Sequence, residues 1–281
     1  MGWQGVSDTF QNSILSFCLF QETGLVLLTI ENLSIRFGGL VALNGCSFEV
    51  TRGEIFSLIG PNGAGKTTIF NIINGIYRPD QGRIYFNGMD LIKLKPHEIA
   101  RIGIARTFQN VELFSQMTVL ENILIGEHTH MRSGLLSAGF FLKRVRIEEK
   151  EGLVNANRIL DFLGLKEYQR TLVSDLPFGI QKKVELARAL ALRPKLLLLD
   201  EPASGLNPHE TQELMDRIEQ IRREIGITVL LVEHDMQVVM GLSDRICVLH
   251  FGEKIAEGNP AEIQENARVI EAYLGEQKRY A

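Results

Sequence analysis

Gly60-Pro61-Asn62-Gly63-Ala64-Gly65-Lys66-Thr67 fits the pattern G-x-x-x-x-G-K-[ST]. The apolar run 55–59 before it reads as a buried strand. The residues after it place Ile69, Phe70, Ile73 and Ile76 on one side of a helix. Strand, glycine-rich turn and helix are the context in which this pattern holds phosphate. The glycines let successive backbone N–H groups face an anion, and the helix N-terminus adds partial positive charge. In that reading Gly60, Pro61, Asn62, Gly63, Ala64, Gly65, Lys66, Thr67 and Thr68 form the cradle. Lys66 reaches the β- and γ-phosphates and Thr67 binds Mg²⁺.

Outward from this loop the chain alternates strands and helices. Segments 27–33, 42–50 and 83–86 read as strands, with turns at Gly53-Glu54 and Asn87-Gly88. Residues 113–172 carry a helical pattern that includes the charged run 143–151, expected as an exposed helix. The runs 196–199 and 228–232 are wholly apolar and flank a helix rich in Glu and Arg. Continuous apolar strands between helices predict an α/β fold with a mainly parallel, doubly covered sheet. A hairpin over 245–258 and a short helix are expected to close the chain. Residues 1–26 are expected to form a poorly ordered extension, with at most a short amphipathic helix.

Two further segments carry chemistry. Leu196-Leu197-Leu198-Leu199-Asp200-Glu201 ends a buried strand in two acids. Asp200 suits the shell of a bound Mg²⁺, and Glu201 suits activation of an attacking water. His234 follows the next apolar strand in Leu231-Val232-Glu233-His234-Asp235. In an open parallel sheet, ligands sit beyond the carboxyl ends of the strands, so these groups are expected to converge with the phosphate loop.

Composition narrows the class. The chain has 281 residues, 45% of them hydrophobic and 23% charged, enough for a sizeable core. A net charge of −4 opposes a role on a nucleic-acid backbone. The cysteines Cys18, Cys46 and Cys247 lack metal-like spacing, and their odd number suits a reducing compartment. No apolar run approaches the roughly 18–20 residues that span a bilayer. The first basic residue is Arg36, so the apolar N-terminus does not read as a secretory signal. Work at a membrane would need another chain to do the spanning. His128 and His130 are expected at the surface, and Lys182, Lys183 and Arg188 as a solvated helix face.

These motifs, with Arg106-Thr107-Phe108-Gln109 and Asp175-Leu176-Pro177-Phe178-Gly179-Ile180-Gln181, resemble one family in order from about residue 27 to the C-terminus. The chain is similar to the nucleotide-binding subunit of an ATP-binding-cassette transporter. The resemblance implies a P-loop NTPase cassette over 27–281, with an antiparallel β subdomain and a helical subdomain over about 113–175. It implies that Phe37 stacks on adenine, that Gln109 joins Mg²⁺ to the membrane-subunit contact, and that 176–181 is the signature segment. Asp200 would be the magnesium aspartate, Glu201 the catalytic glutamate and His234 the switch histidine. Ser204-Gly205-Leu206-Asn207 would link two cassettes packed head to tail, with Asn207 standing where many cassettes have Asp.

Phe37-Gly38-Gly39-Leu40-Val41-Ala42-Leu43, the segments 204–208, 256–260 and 271–275, and the insert near 126–152 resemble the larger ATPase subunit of branched-chain amino acid importers. Importers of urea or short amides stay open as an alternative. So do an exporter, a nucleotide sensor without turnover and a soluble cassette protein, although the chain lacks the fused second cassette or long coiled coil common in that last group. The implied cofactors are ATP and Mg²⁺. The implied partners are integral membrane permease subunits, a second ATPase subunit (a paralogue or an identical copy) and, indirectly, a substrate-binding protein. The implied location is peripheral, on the cytoplasmic face of the inner membrane.

The signature departs from its pattern at Pro177, which lacks both a hydroxyl and an N–H. A lost hydrogen bond to a charged oxygen costs roughly 1.5–3 kcal/mol if nothing replaces it. Pro suits the first turn of a helix, and its fixed φ lowers the ordering cost by about 0.4–1 kcal/mol. The expectation is phosphate binding through the helix dipole and the N–H groups of Phe178, Gly179 and Ile180. Gly179 would allow close backbone approach and Gln181 would complete the contact.

Overall fold

The computed structural model describes residues 25–107, 111–127 and 142–277. The expectations for Cys18, Gln109, His128, His130 and residues 1–24 of the N-terminal extension lie outside these residues, while Val26, expected in that extension, opens the first strand.

β1 (Val26–Phe37) and β2 (Leu40–Thr51) form an antiparallel hairpin, each longer than the run that marks it in the sequence. β3 (Ile55–Ile59) leads through the phosphate loop into α1 (Lys66–Ile73). Then come β4 (Gln81–Phe86), β5 (Met89–Asp90), α2 (Pro96–Arg101) and β6 (Ile104–Arg106). The helices α3 (Val119–Glu127), α4 (Leu142–Phe162) and α5 (Phe178–Ala191) follow. β7 (Leu196–Asp200), α6 (Pro208–Gln220), β8 (Thr228–Val232) and α7 (Met236–Leu242) alternate. The hairpin of β9 (Arg245–His250) and β10 (Glu253–Gly258) precedes α8 (Pro260–Glu265) and α9 (Ala267–Gln277).

Among the described residues the strands form two sheets. One is antiparallel, in the order β2-β1-β4-β5. The other has the order β10-β9-β3-β8-β7-β6 and is parallel throughout except at the β9–β10 edge. The apolar runs that signalled the second sheet divide by their period of two. Leu197, Leu199, Val229 and Leu231 enter the core shared with α3, α4, α5 and α6. Leu196, Leu198, Leu230 and Val232 enter the core shared with α1 and the antiparallel sheet. Both faces are covered, so neither needs polar residues.

Helix boundaries follow local chemistry. Asn207 caps α6 and Asn259 caps α8, each accepting from the N–H three residues on while Glu210 or Glu262 returns the bond, and each is followed by Pro. The Asn-Pro pairs in 204–208 and 256–260 are thus helix starts. Two expectations need correction. Ile76 is not on the buried side of α1, because Asn74 ends the helix and Ile76 is 52% exposed. The charged helix face on α5 is not solvated. Lys182 is only 6% exposed and lies over the Phe178 ring, Lys183 pairs with Glu213 at 2.6 Å, and Arg188 donates to the Glu112 carbonyl. Lys182 is buried and Lys183 and Arg188 are half-buried, each with its charged head against a neighbour. The run 146–151 is largely exposed, in line with its mixed charge.

Leu231 is wholly buried in the layer beneath α5 and α6. Leu231→Ala should lower stability by about 2–5 kcal/mol. A drop in the urea midpoint at unchanged m-value measures this.

Candidate functional site

β3, β8 and β7 are consecutive neighbours in the parallel sheet. Their carboxyl ends therefore bring the phosphate loop, His234 and the Asp200-Glu201 pair to one edge, and β6 adds Thr107 beside β7.

The loop wraps around Lys66. Its Nζ donates to the carbonyls of Gly60 at 2.6 Å and Pro61 at 3.0 Å, and Ala64 N–H closes back on Pro61 at 3.1 Å. Gly60 has φ 149°, and a Cβ there would come within 2.1 Å of the Leu249 carbonyl on β9, so a side chain would force two backbones apart. Gly65 caps α1 in the left-handed region. Asn62, Gly63 and Thr67 are exposed, Thr68 is half-buried and Ala64 is buried against the β9–β10 turn, where Gly252 N–H bonds its carbonyl. α1 begins at this partly exposed rim, and a helix start leaves the amides of its first turn without intrahelical partners, which suits anion binding.

Asp200 is buried and accepts from Arg106 Nη2 at 2.7 Å, while Arg106 Nη1 donates to Asn71 of α1 at 2.7 Å. Burial pushes the Asp200 carboxyl above its ordinary range, and the Arg106 bond and charge pull it back in part. Arg106 also lies over the Phe70 ring at 5.5 Å. Glu201 sits just past β7 with φ 47°, an uncommon conformation for a non-glycine residue. Its N–H is held by the Val232 carbonyl at 2.8 Å. His234 Nδ1 lies 3.7 Å from Glu201 Oε2, and the imidazole is largely exposed.

The Thr67 hydroxyl and the Asp200 carboxylate are hard oxygen donors of the kind Mg²⁺ takes alongside phosphate and water. Arg106 ties Asp200 to the helix that starts at Lys66-Thr67, so the donor set and its support fit this ion.

Phe37 ends β1 with its ring exposed, 5.1 Å from the ring of Tyr77 at an interplanar angle of 66°. The signature segment lies on α5, and three details there differ from the sequence reading. Pro177 is the N-cap rather than part of the first turn. The Ile180 N–H donates to the Pro177 carbonyl at 3.0 Å and is not turned outward. Gly179 is buried, and a Cβ there would meet Glu210 Oε1, the end of a flexible side chain, at 2.4 Å, so α6 of the same chain crowds this position without by itself requiring a glycine. Gln181 Nε2 donates to the Leu176 carbonyl at 2.9 Å and braces the same turn. The exposed Phe178 ring packs on Gly205, where a Cβ would come within 2.8 Å.

Residues 43–204 match the family described as ABC transporter, and residues 253–279 match one described as branched-chain amino acid ATP-binding cassette transporter. The chain belongs to the ABC transporter family. It is 47% identical to the high-affinity branched-chain amino acid transport ATP-binding protein LivG of Salmonella typhimurium over 89% of this chain and 98% of that protein. The corresponding protein BraF of Pseudomonas aeruginosa is 44% identical over the same shares. The ADP conformation of the ATP-binding cassette MJ1267 superposes with a TM-score of 0.78 at 34% identity, covering 89% of this chain and 99% of that one. The fold is that of an ABC ATPase cassette, and the chain is an ATPase of that family.

Several residues of the cassette site were not singled out from the sequence. Arg106 had only the signal of a cation in the segment leading to Gln109, since its partner Asp200 lies 94 residues away. Tyr77 had none beyond its exposure after α1. Glu210 carried the local signal of a capping box with Asn207 but not of its approach to Gly179, and the bond of Glu233 to Ala203, 30 residues away, is announced by no local pattern.

Arg106→Met would leave the Asp200 carboxylate buried without its cation, at a cost of about 3–5 kcal/mol. With burial now unopposed, the folded-state pKa of Asp200 rises further above its unfolded value. The penalty should be full above the folded pKa and fade as pH falls toward the unfolded value near 4. Urea unfolding of this variant at pH 7.5 and pH 4.5 should show a smaller deficit against wild type at the lower pH.

Proposed function

We propose that this cassette powers a membrane importer for branched-chain amino acids, and that its turnover uses the groups at the carboxyl edge of β3, β8 and β7. The observation that carries the reading is the adjacency of those strands, which gathers Lys66, the Asp200-Glu201 pair and His234 from three distant parts of the sequence. The solute follows from the relatives, whose names place them in branched-chain amino acid transport, and from the C-terminal match over residues 253–279.

In this reading the loop 60–68 and the first turn of α1 hold the phosphates of ATP, and Phe37 stacks on adenine with Tyr77 against its edge. Thr67, Asp200 and Gln109 would hold Mg²⁺, which would supply positive charge against the negative charge of the phosphates. Glu201 accepts a proton as water attacks the γ-phosphorus in line and the bond to the ADP oxygen breaks. His234 contacts the γ-phosphate, and Lys66 leaves its loop carbonyls to meet the phosphates. Phe178, Gly179 and Gln181 present the α5 N-terminus to ATP bound on a second cassette. The Phe178 and Gly179 amides are the donors there, since the Ile180 N–H is used at Pro177. The partner cassette is a paralogue or a second copy.

No helix among the described residues is long and apolar enough to cross a membrane. The reading therefore needs permease subunits to span it, with this chain peripheral on the cytoplasmic face and a substrate-binding protein delivering the solute.

Glu201→Gln should bind ATP with near-wild-type affinity and lose at least about 100-fold in kcat, in the range expected for loss of a general base. Retained turnover would remove Glu201 as the base. Light scattering on that variant should show an ATP-dependent dimer, alone or on addition of the paralogous cassette. A chain that stays monomeric in both cases would remove the signature assignment.

A further inference from the structure

Glu233 stands between Val232 and His234 with its side chain fully buried. Its Oε1 accepts from the Ala203 N–H at 2.8 Å, two residues beyond Glu201. Its Oε2 accepts from the N–H groups of His234 at 2.9 Å and Asp235 at 3.2 Å. One carboxylate thus binds the loop after β7 to the loop after β8. Two neighbouring bonds frame this link. The Glu201 N–H is held by the Val232 carbonyl, and Asp235 caps α7 through the Gln237 N–H at 2.8 Å.

We propose that Glu233 is a positioning residue for ATP hydrolysis, holding Glu201 and His234 in register so that water, base and γ-phosphate contact meet in one geometry. The inference rests on the assignment of Glu201 and His234 given above. Both residues are carried by loop backbone. Glu201 has a left-handed φ that only its surroundings can hold, and the largely exposed His234 imidazole has its Nδ1 3.7 Å from Glu201 and 3.8 Å from Glu233. Within these two loops Glu233 is the buried side chain that bonds to both. An error of about 1 Å in such a constellation can cost a factor of 10² in rate.

The chemistry requires a carboxylate. Three N–H donors converge on two oxygens, and a glutamine offers one acceptor oxygen and an NH₂ group. In Glu233→Gln the NH₂ must face either the Ala203 N–H or the pair from His234 and Asp235. The variant is close to isosteric, yet it releases one loop from the other.

The test is a double-mutant cycle on the full chain, with KM and kcat for ATP measured in the wild type, Glu233→Gln, His234→Ala and the double variant. Glu233→Gln should keep KM within about threefold and lower kcat by about tenfold or more, because ground-state binding lies on the phosphate loop. In the His234→Ala background the same change should cost at least about threefold less than in the wild type, since the part of its effect that runs through His234 is gone and only the hold on the Glu201 loop remains. A kcat within twofold of wild type for folded Glu233→Gln overturns the inference. So does an equal fold-loss in both backgrounds, which marks a merely structural role. A wild type without turnover removes the functional reading itself, and active wild type unaffected by His234→Ala removes the His234 assignment together with this inference. Should Glu233→Gln not fold, Glu233→Asp keeps the charge, withdraws it by one methylene and enters the same cycle with the same thresholds.

Discussion

Parallel pairing of β3 with β8 and of β8 with β7 is the constraint on which the rest of this cassette depends. Parallel strands all end on one side, so whatever follows each strand is delivered to a common edge. The price of that arrangement is two covered faces. The runs in β7 and β8 meet it by sending alternate residues into two separate cores. The loops at the edge are then free of packing duties and can carry exposed groups such as Thr67 and His234.

Polar groups buried just behind that edge hold the loops in shape. Lys66 is satisfied by loop carbonyls, Asp200 by Arg106, and Glu233 by three backbone N–H groups. None of these is a surface pair of marginal worth. Each sits where an unmatched charge would be strongly unfavourable, so the surrounding geometry is narrowly defined. Arg106 further links the strand bearing Asp200 to α1 through Asn71, coupling the acid to the helix that begins at the phosphate loop.

The segment around Pro177 shows a second design. The start of α5 is fastened to the start of α6 by Phe178 on Gly205, by Glu210 beside Gly179 and by the Lys183–Glu213 pair. Asn207, which stands where the family pattern often has Asp, is an N-cap whose partner Glu210 reaches both helices. An amide caps a helix about as well as a carboxylate, so the fold tolerates this exchange. Gly179 lies between these two helix starts, with the flexible end of Glu210 beside it.

The sequence by itself determined the α/β class, the range of β3, the phosphate loop, the strand that ends in two acids and the family. These are local signals, since backbone period, capping chemistry and glycine placement act over a few residues. It also marked Asp200, Glu201 and His234 as candidates, but only as neighbours in an expected sheet. The tertiary structure decided which strands adjoin and where the charges on α5 go. It also decided which buried groups serve the edge. Lys182 looked like a solvated cation until α5 was packed, and Arg106 and Glu233 gained their partners only when strands more than 90 residues apart and loops 30 apart came together. Contacts of that kind depend on chain topology, which no window of sequence contains.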